Sequence, residues 1–402
     1  MPRLSAEIRQ YLLVTGNYWA FTLTDGALRM LVVLHFHQLG YTPLQVALLF
    51  LFYEAFGVVT NLFGGWLGAR IGLNHTMNLG LGLQVVALGM LTLPASWLTV
   101  PWVMGAQALS GIAKDLNKMS AKSSIKRLVP ADQHGTLFRW VAALTGSKNA
   151  LKGTGFFLGG ALLATLGFGH AIALLAASLA SVWIFSLACL QRDLGKASNK
   201  PRFRDLFSKS PAVNTLSAAR LFLFGARDVW FVVALPVYLA TTLHWNTAGI
   251  GAFLAGWVIV YGVVQMIAPY LTGKRQGRVP DGRSAGSWAM ALTATPAIMA
   301  LLLPTTSPTL VVTGGLVIFG ILFAINSSLH SYLIVSYANE DGVSLDIGFY
   351  YMANALGRLL GTVLSGWIFQ EWGLAACLWV SALMLGATAV ISLGLPRHTT
   401  HR

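Results

Sequence analysis

Long apolar stretches separated by short turns run through the whole of this chain. A helix needs about 20 mostly apolar residues to cross the hydrocarbon core of a bilayer. The stretches predict twelve membrane-spanning helices, at residues 15–37, 44–66, 75–94, 100–122, 137–163, 171–190, 214–240, 248–271, 285–304, 309–333, 346–369 and 374–394. Only 10% of the residues are charged, against about 25% in soluble domains, which excludes a soluble fold.

The basic residues are distributed unevenly among the loops. Loops after odd-numbered spans contain no Lys or Arg, whereas the other loops hold nearly all of them, including Arg70, Lys126, Arg127 and the basic residues of 191–213 and 274–283. Cytoplasmic loops carry such an excess, so we expect both termini on the cytoplasmic side and a retained first span. The net charge of +14 then reflects topology, and we expect no nucleic-acid partner.

The longest hydrophilic stretch divides the chain into two halves of six spans. We expect an N-terminal half at 1–190, a cytoplasmic linker at 191–213 and a C-terminal half at 214–402. A faint repeat supports the division, because Phe21 and Asp25 in span 1 have the same separation as Phe224 and Asp228 in span 7. Two six-helix halves around a midplane site are typical of many secondary transporters, which work by alternating access.

Ionisable residues occur well inside the apolar spans, where each costs roughly 2.5–3.5 kcal/mol on insertion scales. The cations are Arg29, Lys114, Lys118, Lys148, Lys152, Arg227 and Arg358, and the acids are Asp25, Glu54, Asp115 and Asp228. Pairing with the acids leaves about three positive charges unbalanced. We therefore predict a cavity that binds a small anionic solute, which supplies the missing negative charge.

Residues three or four positions apart share a helix face, and this groups the polar residues into three stripes. The stripes are Gln107, Gly111, Lys114 and Lys118; Lys148, Lys152, Gly155 and Gly159; and Asn354, Arg358, Gly361 and Ser365. Glycines allow close helix approach, and Lys, Arg and Asn donate hydrogen bonds to oxyanions. We predict substrate binding by Arg29, Lys114, Lys148, Lys152, Arg227, Arg358, Asn354 and Gln107.

The acids have two interpretations that the sequence leaves open. Asp25, Glu54, Asp115 and Asp228 can couple transport to protons, or they can be structural partners of the cations. Asp25 can pair with Arg29 one turn later, Glu54 with Arg29, and Asp115 with Lys114 or Lys118. Lys118, near the inner end of its span, favours a topological role over ligand binding.

Enzyme and metal motifs are not found in the sequence. The glycines of GTGFFLGG in span 5 follow no strand, so they do not indicate a nucleotide loop. Cys189 and Cys377 lie in separate apolar runs and suggest neither a disulfide framework nor a metal site. We expect no catalytic residues, no cofactor and no metal.

The segment GGWLGARIGLN resembles the loop signature of the major facilitator superfamily at Gly65, Arg70 and Gly72, and departs from it at Ala69 and at 73–74. The segments NYWAFTLTDGALRMLVVLHFHQLGYTP, SGIAKDLNKMSAKSSIK and LTGSKNALKG resemble the ArsJ family of organoarsenical efflux permeases, and the similarity extends over most of the chain. The resemblance implies a twelve-helix major facilitator fold in two pseudo-symmetric halves, in a bacterial inner (plasma) membrane.

The same resemblance implies a substrate and a functional partner. The family exports 1-arseno-3-phosphoglycerate, which glyceraldehyde-3-phosphate dehydrogenase forms when arsenate replaces phosphate, and this export confers arsenate resistance. We expect a monomer in the lipid bilayer with a small anionic substrate. The alternative is an organophosphate or inorganic-phosphate antiporter; a drug and proton antiporter is disfavoured because cations outnumber acids in the spans.

Overall fold

The computed structural model describes residues 6–41, 49–130, 132–190, 194, 196–197, 202, 210–272 and 280–396. All regular secondary structure in these residues is helical. Most of the predicted linker, the start of predicted span 44–66 and the basic segment 274–278 lie outside the described residues.

The described residues form α-helices that follow one another along the chain. They are α1 (Ala6–Gln38), α2 (Leu51–Ile71), α3 (Leu73–Met90), α4 (Val100–Leu128), α5 (His134–Cys189), α6 (Pro211–Phe231), α7 (Ala234–Thr241), α8 (Thr247–Leu271), α9 (Gly282–Leu302), α10 (Pro308–Tyr337) and α11 (Val343–Ser392), with a 3₁₀ turn at Ala95–Trp97.

Two of the helices each contain two predicted spans. α5 and α11 are 56 and 50 residues long, and each is broken at a glycine of positive φ, Gly167 at 73° and Gly373 at 75°. Glycine takes this conformation without the steric cost that a Cβ atom brings. In each helix the break lies in the predicted turn between two spans. The fifth and sixth spans of each half of the sequence are therefore joined in the same way.

The prediction of an all-helical protein with membrane-spanning helices is confirmed. Six helical segments of the described chain are long and apolar enough to cross a bilayer. They are α5, α6 together with α7, α8, α9, α10 and α11. Some helices differ from the predicted spans at their ends, since α1 begins at Ala6 and α4 continues to Leu128. Polar residues at these ends continue the helix beyond the apolar stretch that the prediction counted.

The helices form two compact units. Unit 1 comprises 1–133, 147–207 and 338–352, and unit 2 comprises 134–146, 208–337 and 353–402. Each unit therefore includes a short segment from the opposite half of the sequence. The predicted domain boundaries at 190 and 214 remain a prediction.

Close helix packing in unit 1 depends on glycine. A Cβ atom at Gly155 of α5 would lie 2.7 Å from the Leu23 carbonyl oxygen of α1, and one at Gly111 of α4 would lie 2.6 Å from the Tyr53 carbonyl oxygen of α2. Any side chain there would push the helices apart. The predicted role of these stripe glycines in close approach is confirmed, and it brings the ionisable residues of α1, α2, α4 and α5 together.

Unit 2 has an aromatic core beside its ionisable residues. Trp230 of α6 packs edge-on against Phe319 of α10 at 5.1 Å, and Phe319 stacks on Phe323 at 5.5 Å between ring centroids. These three rings are buried. Aromatic rings bury large areas in fixed geometry, so they hold α6 and α10 firmly around the neighbouring charges.

Candidate functional site

In unit 1, Tyr53 of α2 lies at the centre of the charged residues of α1 and α2. Its hydroxyl donates to both carboxylate oxygens of Asp25, at 2.8 and 2.9 Å. Arg29 instead pairs with Glu54, with 3.4 Å between Nη2 and Oε1. Of the pairings considered from the sequence, the structure thus provides Glu54 as the partner of Arg29, while Asp25 accepts from a phenol.

Lys114 and Lys118 of α4 have different environments although they share one stripe. The Nζ of Lys114 lies 3.7 Å above the centroid of the Tyr53 ring. Lys118 pairs with Asp115 at 2.6 Å and also lies 4.4 Å from the ring centroid of Tyr351. Asp115 is therefore the structural partner of Lys118, and Lys114 contacts the aromatic face.

The α5 stripe brings two more cations to the same region of unit 1. Lys148 and Lys152 are half-buried, and electrostatic interactions connect Lys152 with Arg29, Asp25, Lys148 and Lys114. The close approach of α1 and α5 at Gly26, where a Cβ atom would lie 2.8 Å from the Lys152 carbonyl oxygen, accounts for this proximity.

Gln107, also predicted to bind substrate, is buried with 1% of its surface exposed. Its Nε2 atom makes no hydrogen bond within the described part of the chain. Gly111, one turn along the same face, packs directly on the backbone of α2. Gln107 thus lies on the packed side of α4, and a role in substrate binding remains a prediction.

In unit 2, Asp228 of α6 joins two arginines. Its Oδ1 is 2.6 Å from Arg227 Nε and its Oδ2 is 3.2 Å from Arg358 Nε of α11. Asp228 is fully buried, whereas the side chains of Arg227 and Arg358 are 15% and 34% exposed. The single carboxylate of Asp228 can therefore neutralise the charge of only one of the two arginines. Both arginine side chains remain partly exposed.

Arg220 is a further cation of this cluster that the sequence analysis missed. Its Nε donates to Asn354 Oδ1 at 2.8 Å, and its Nη1 donates to the Ser327 hydroxyl at 3.3 Å. Arg220 precedes Arg227 by seven residues, which places both on one helix face. That spacing is the signal that could have identified it.

Aromatic faces hold several of these cations. In unit 2, the guanidinium carbons of Arg220 and Arg227 lie 3.9 and 4.8 Å from the Phe224 centroid. In unit 1, Tyr53 contacts Lys114 in this way and Arg29 at 5.2 Å. Such contacts stabilise a cation by about 0.5–2 kcal/mol. They do so without cancelling its charge, so the positive potential persists.

The charge balance can be stated for each unit separately. Among the ionisable residues named above, unit 1 has cations at Arg29, Lys114, Lys118, Lys148 and Lys152, and acids at Asp25, Glu54 and Asp115. Unit 2 has cations at Arg220, Arg227 and Arg358, and an acid at Asp228. Both sets have more cations than acids, which favours binding of an anion. No group of three or more potential metal ligands occurs in the described residues.

The sequence profile of the Major Facilitator Superfamily matches residues 12–345 and 221–402 of the chain. Solved structures with similar folds include the human organic anion transporter MFSD10 (TETRAN), with a TM-score of 0.77 and 16% identity over 97% of this chain and 100% of that one. No curated protein sequence matches the chain.

Two other solved structures show the same architecture. A bacterial homologue of the iron transporter ferroportin, in an outward-facing state, has a TM-score of 0.75 and 16% identity over 97% of this chain and 99% of that one. The E. coli fucose:proton symporter FucP has a TM-score of 0.73 and 13% identity over 97% of this chain and 99% of that one. At these identities the similarity establishes the fold, and the cargoes of these transporters belong to those proteins.

Proposed function

Because the chain belongs to the major facilitator superfamily, whose members are secondary transporters and not enzymes, we propose that it exports a small, multiply anionic solute by alternating access. The observation that carries this proposal is the excess of cations over acids in both units. In unit 1 the excess lies around Tyr53, and in unit 2 it lies around Asp228.

The cations are suited to an oxyanion by their chemistry as well as by their number. Arg227 and Arg358 each pair with Asp228 through Nε, and the planar guanidinium group of arginine suits two-point contact with an oxyanion. Lys114 and Lys152 act as point charges, which bind phosphate-like groups with less directional demand. Arginine guanidinium groups and lysine ammonium groups together can bind a ligand that has more than one anionic group.

Within this class we propose 1-arseno-3-phosphoglycerate as the substrate, on the basis of the resemblance to organoarsenical efflux permeases. The molecule carries an arsenate ester and a phosphate monoester, and the second pKa of such a phosphate is near 6, so it is multiply anionic at neutral pH. The likeness in sequence supports the identity of the anion, and the charged clusters support its class.

The membrane potential favours export of such a solute. With the cell interior negative, each negative charge that leaves gains about 2.3 kcal/mol per 100 mV. A multiply charged anion can therefore be exported without a coupling ion. Proton coupling through Asp25 or Glu54 is the competing mechanism, and the Tyr53 and Arg29 contacts of these acids favour a structural role for them.

The substrate is tested by arsenate resistance in a sensitive bacterial cell that expresses this protein. We expect protection when glyceraldehyde-3-phosphate dehydrogenase is present and no protection when it is absent, because the dehydrogenase forms the ester. Equal protection in both backgrounds would contradict the ester as substrate. It would leave inorganic arsenate or another anion as the cargo.

The binding residues are tested by charge-removing substitutions. We expect Lys148→Gln, Lys152→Gln, Arg227→Gln and Arg358→Gln to abolish protection at equal membrane expression. Arg283→Gln is the matched control, because Arg283 is an exposed cation at the start of α9, and it should leave protection unchanged. Full protection by all four variants would refute the proposed binding residues.

A second candidate is an organophosphate or inorganic-phosphate antiporter, which the same cationic clusters favour. Proteoliposomes separate the two. Export that proceeds at a clamped potential without phosphate on the opposite side supports uniport of the ester. An absolute requirement for phosphate on the opposite side identifies an antiporter.

A further inference from the structure

Four lysines recur at every fourth position of α4. They are Lys114, Lys118, Lys122 and Lys126, and with Arg127 they give this helix five basic residues against the single acid Asp115. Each step advances about 6 Å along the helix axis, so the row extends about 18 Å from the charged cluster at Lys114. By the predicted topology, Lys126 lies at the cytoplasmic end. We call these four residues the lysine row.

The burial of the row disfavours the topological role that the sequence indicates for Lys118. A lysine that only marks the cytoplasmic side extends its ammonium group to water. Lys122, however, is only 3% exposed, and the side chain of Lys118 is 15% exposed. Like charges four residues apart destabilise a helix, and the row repeats this arrangement three times. A function that needs positive charge along the helix accounts for both features.

The ring of Tyr351 covers the middle of the row. Its centroid lies 4.4 Å from Lys118 Nζ and 5.3 Å from Lys122 Nζ, and Tyr351 is itself buried. One aromatic face thus stabilises two neighbouring cations without neutralising them. Lys122 is buried at this contact, whereas Lys114 and Lys126 on either side are half-buried. Access along the row is therefore interrupted at Lys122 in this structure.

A segment distant in sequence supplies this ring and also reaches the end of the row. Residues 338–352 belong to unit 1 together with α4. Arg127, near the end of α4, donates to the Glu340 carbonyl oxygen at 2.8 Å, and Lys126 interacts electrostatically with Glu340. The segment thus contacts α4 from Lys118 to Arg127. Within unit 1, access along the row requires that this segment withdraw from α4.

We propose that Lys118, Lys122 and Lys126 form the path along which the transported anion approaches Lys114 from the cytoplasmic side. The path is closed in this structure and opens when segment 338–352 withdraws. A row of charges of one sign attracts an opposite charge and raises the rate of its arrival. A solute with two anionic groups can hold one lysine while its other group reaches the next. The inference rests on the proposed anion transport and assigns a function to the lysines between the charged cluster and the cytoplasm.

Transport kinetics in proteoliposomes test the path, with 3-phosphoglycerate as a stable phosphorylated carboxylate. We expect Lys126→Gln to lower kcat/KM about two- to tenfold at an ionic strength of about 10 mM, because charged paths raise association rates by about 10–10³ and three lysines share that effect. The Kd measured by calorimetry should be that of the wild type, because Lys126 is remote from the cluster at Lys114.

High salt separates guidance of the anion from a structural role of the lysine. The Debye length falls from about 30 Å at 10 mM to about 3 Å at 1 M, which is shorter than one step of the row. The kcat/KM of Lys126→Gln should therefore converge with that of the wild type at about 1 M salt. Lys126→Arg keeps the charge and should match the wild type at both salt concentrations.

Two further variants complete the comparison. The double variant Lys122→Gln/Lys126→Gln should lower kcat/KM more than Lys126→Gln alone, because two steps of the path are lost. Arg70→Gln is the matched control, because Arg70 is an exposed cation in the last turn of α2 on the same predicted side of the membrane. It removes one positive charge away from the row and should keep the kcat/KM of the wild type.

Two results would overturn the path. One is an unchanged kcat/KM of Lys126→Gln at low ionic strength. The other is a reduction that persists at high salt or in Lys126→Arg, which would show that the lysine has a structural role. A wild type that transports no anion in this assay would refute the proposed function and the path with it, whereas failure of the variants alone refutes only the path.

Discussion

Replacing Asp228 with Asn removes the one carboxylate that joins Arg227 and Arg358 and keeps the shape of the side chain. The two ion pairs are 2.6 and 3.2 Å long, and Asp228 is fully buried. Without the carboxylate, two closely spaced cations remain in a poorly hydrated place. We expect the variant to be less stable and to retain stability only when another group supplies negative charge.

The magnitude follows from the burial of the partners. Removing one member of a buried ion pair costs about 3–5 kcal/mol. The side chain of Arg358 is 34% exposed and can be hydrated, which discounts its share, so we expect about 3 kcal/mol for Asp228→Asn. The double variant Arg227→Gln/Asp228→Asn removes the shorter pair as a unit and should cost only about 1 kcal/mol, because one partly hydrated arginine remains.

Thermal unfolding of the detergent-purified variants measures these differences. One kcal/mol shifts the midpoint by about 2–4 °C in domains of 150–250 residues, and by less in larger ones, so we expect Asp228→Asn to melt roughly 5 °C below the wild type. A saturating phosphorylated carboxylate should raise the midpoint of Asp228→Asn more than that of the wild type, because ligand charge replaces the lost carboxylate. Equal midpoints for the wild type and Asp228→Asn, or a double variant less stable than the single one, would refute the reasoning.

Five further substitutions, one of them a control, test other contacts. Tyr53→Phe loses the hydroxyl bonds to Asp25 and should cost about 1.5–3 kcal/mol of stability by thermal unfolding. Tyr53→Leu should additionally reduce transport, because Lys114 loses its aromatic contact. Equal transport by both variants would contradict this. Gly361→Ala places a Cβ atom 2.6 Å from the Gly225 carbonyl oxygen and should lower the free energy of unfolding by about 1–3 kcal/mol. Gly366→Ala is the control, because its Cβ atom would have no neighbour within 4 Å, and it should melt like the wild type. Arg220→Lys keeps the charge but loses the fork that reaches Asn354 and Ser327, so it should lower the melting midpoint by a few degrees, and an unchanged midpoint would show that the fork is dispensable.

The fold could be predicted from the sequence because the bilayer imposes simple requirements. Spans need a fixed length, and backbone groups in lipid must be satisfied within helices, so apolar runs are sufficient to predict membrane-spanning helices. The orientation that the basic loops indicate stays a prediction. The glycine stripes were also predictable, since Gly155 and Gly361 lie at helical spacing beside charged residues and have the expected close contacts.

The partners of the ionisable residues were less predictable, because helix spacing describes one helix at a time. Neighbouring residues in a helix do not face each other, yet Arg227 reaches its neighbour Asp228 because the arginine side chain is long enough to fold back. Tyr53 was missed because it carries no charge, although its hydroxyl and ring contact three of the predicted residues.

The aromatic contacts explain how positive charge is kept available in a membrane protein. A cation in an apolar span must be stabilised, and a carboxylate would do so by cancelling its charge. An aromatic face supplies part of the stabilisation through its quadrupole and leaves the net charge unchanged. Lys114 on Tyr53 is held in this way, whereas Arg227 contacts Phe224 and is also paired with Asp228. A protein that must bind an anion and release it benefits from this arrangement, because the anion does not have to displace a competing carboxylate from the cation.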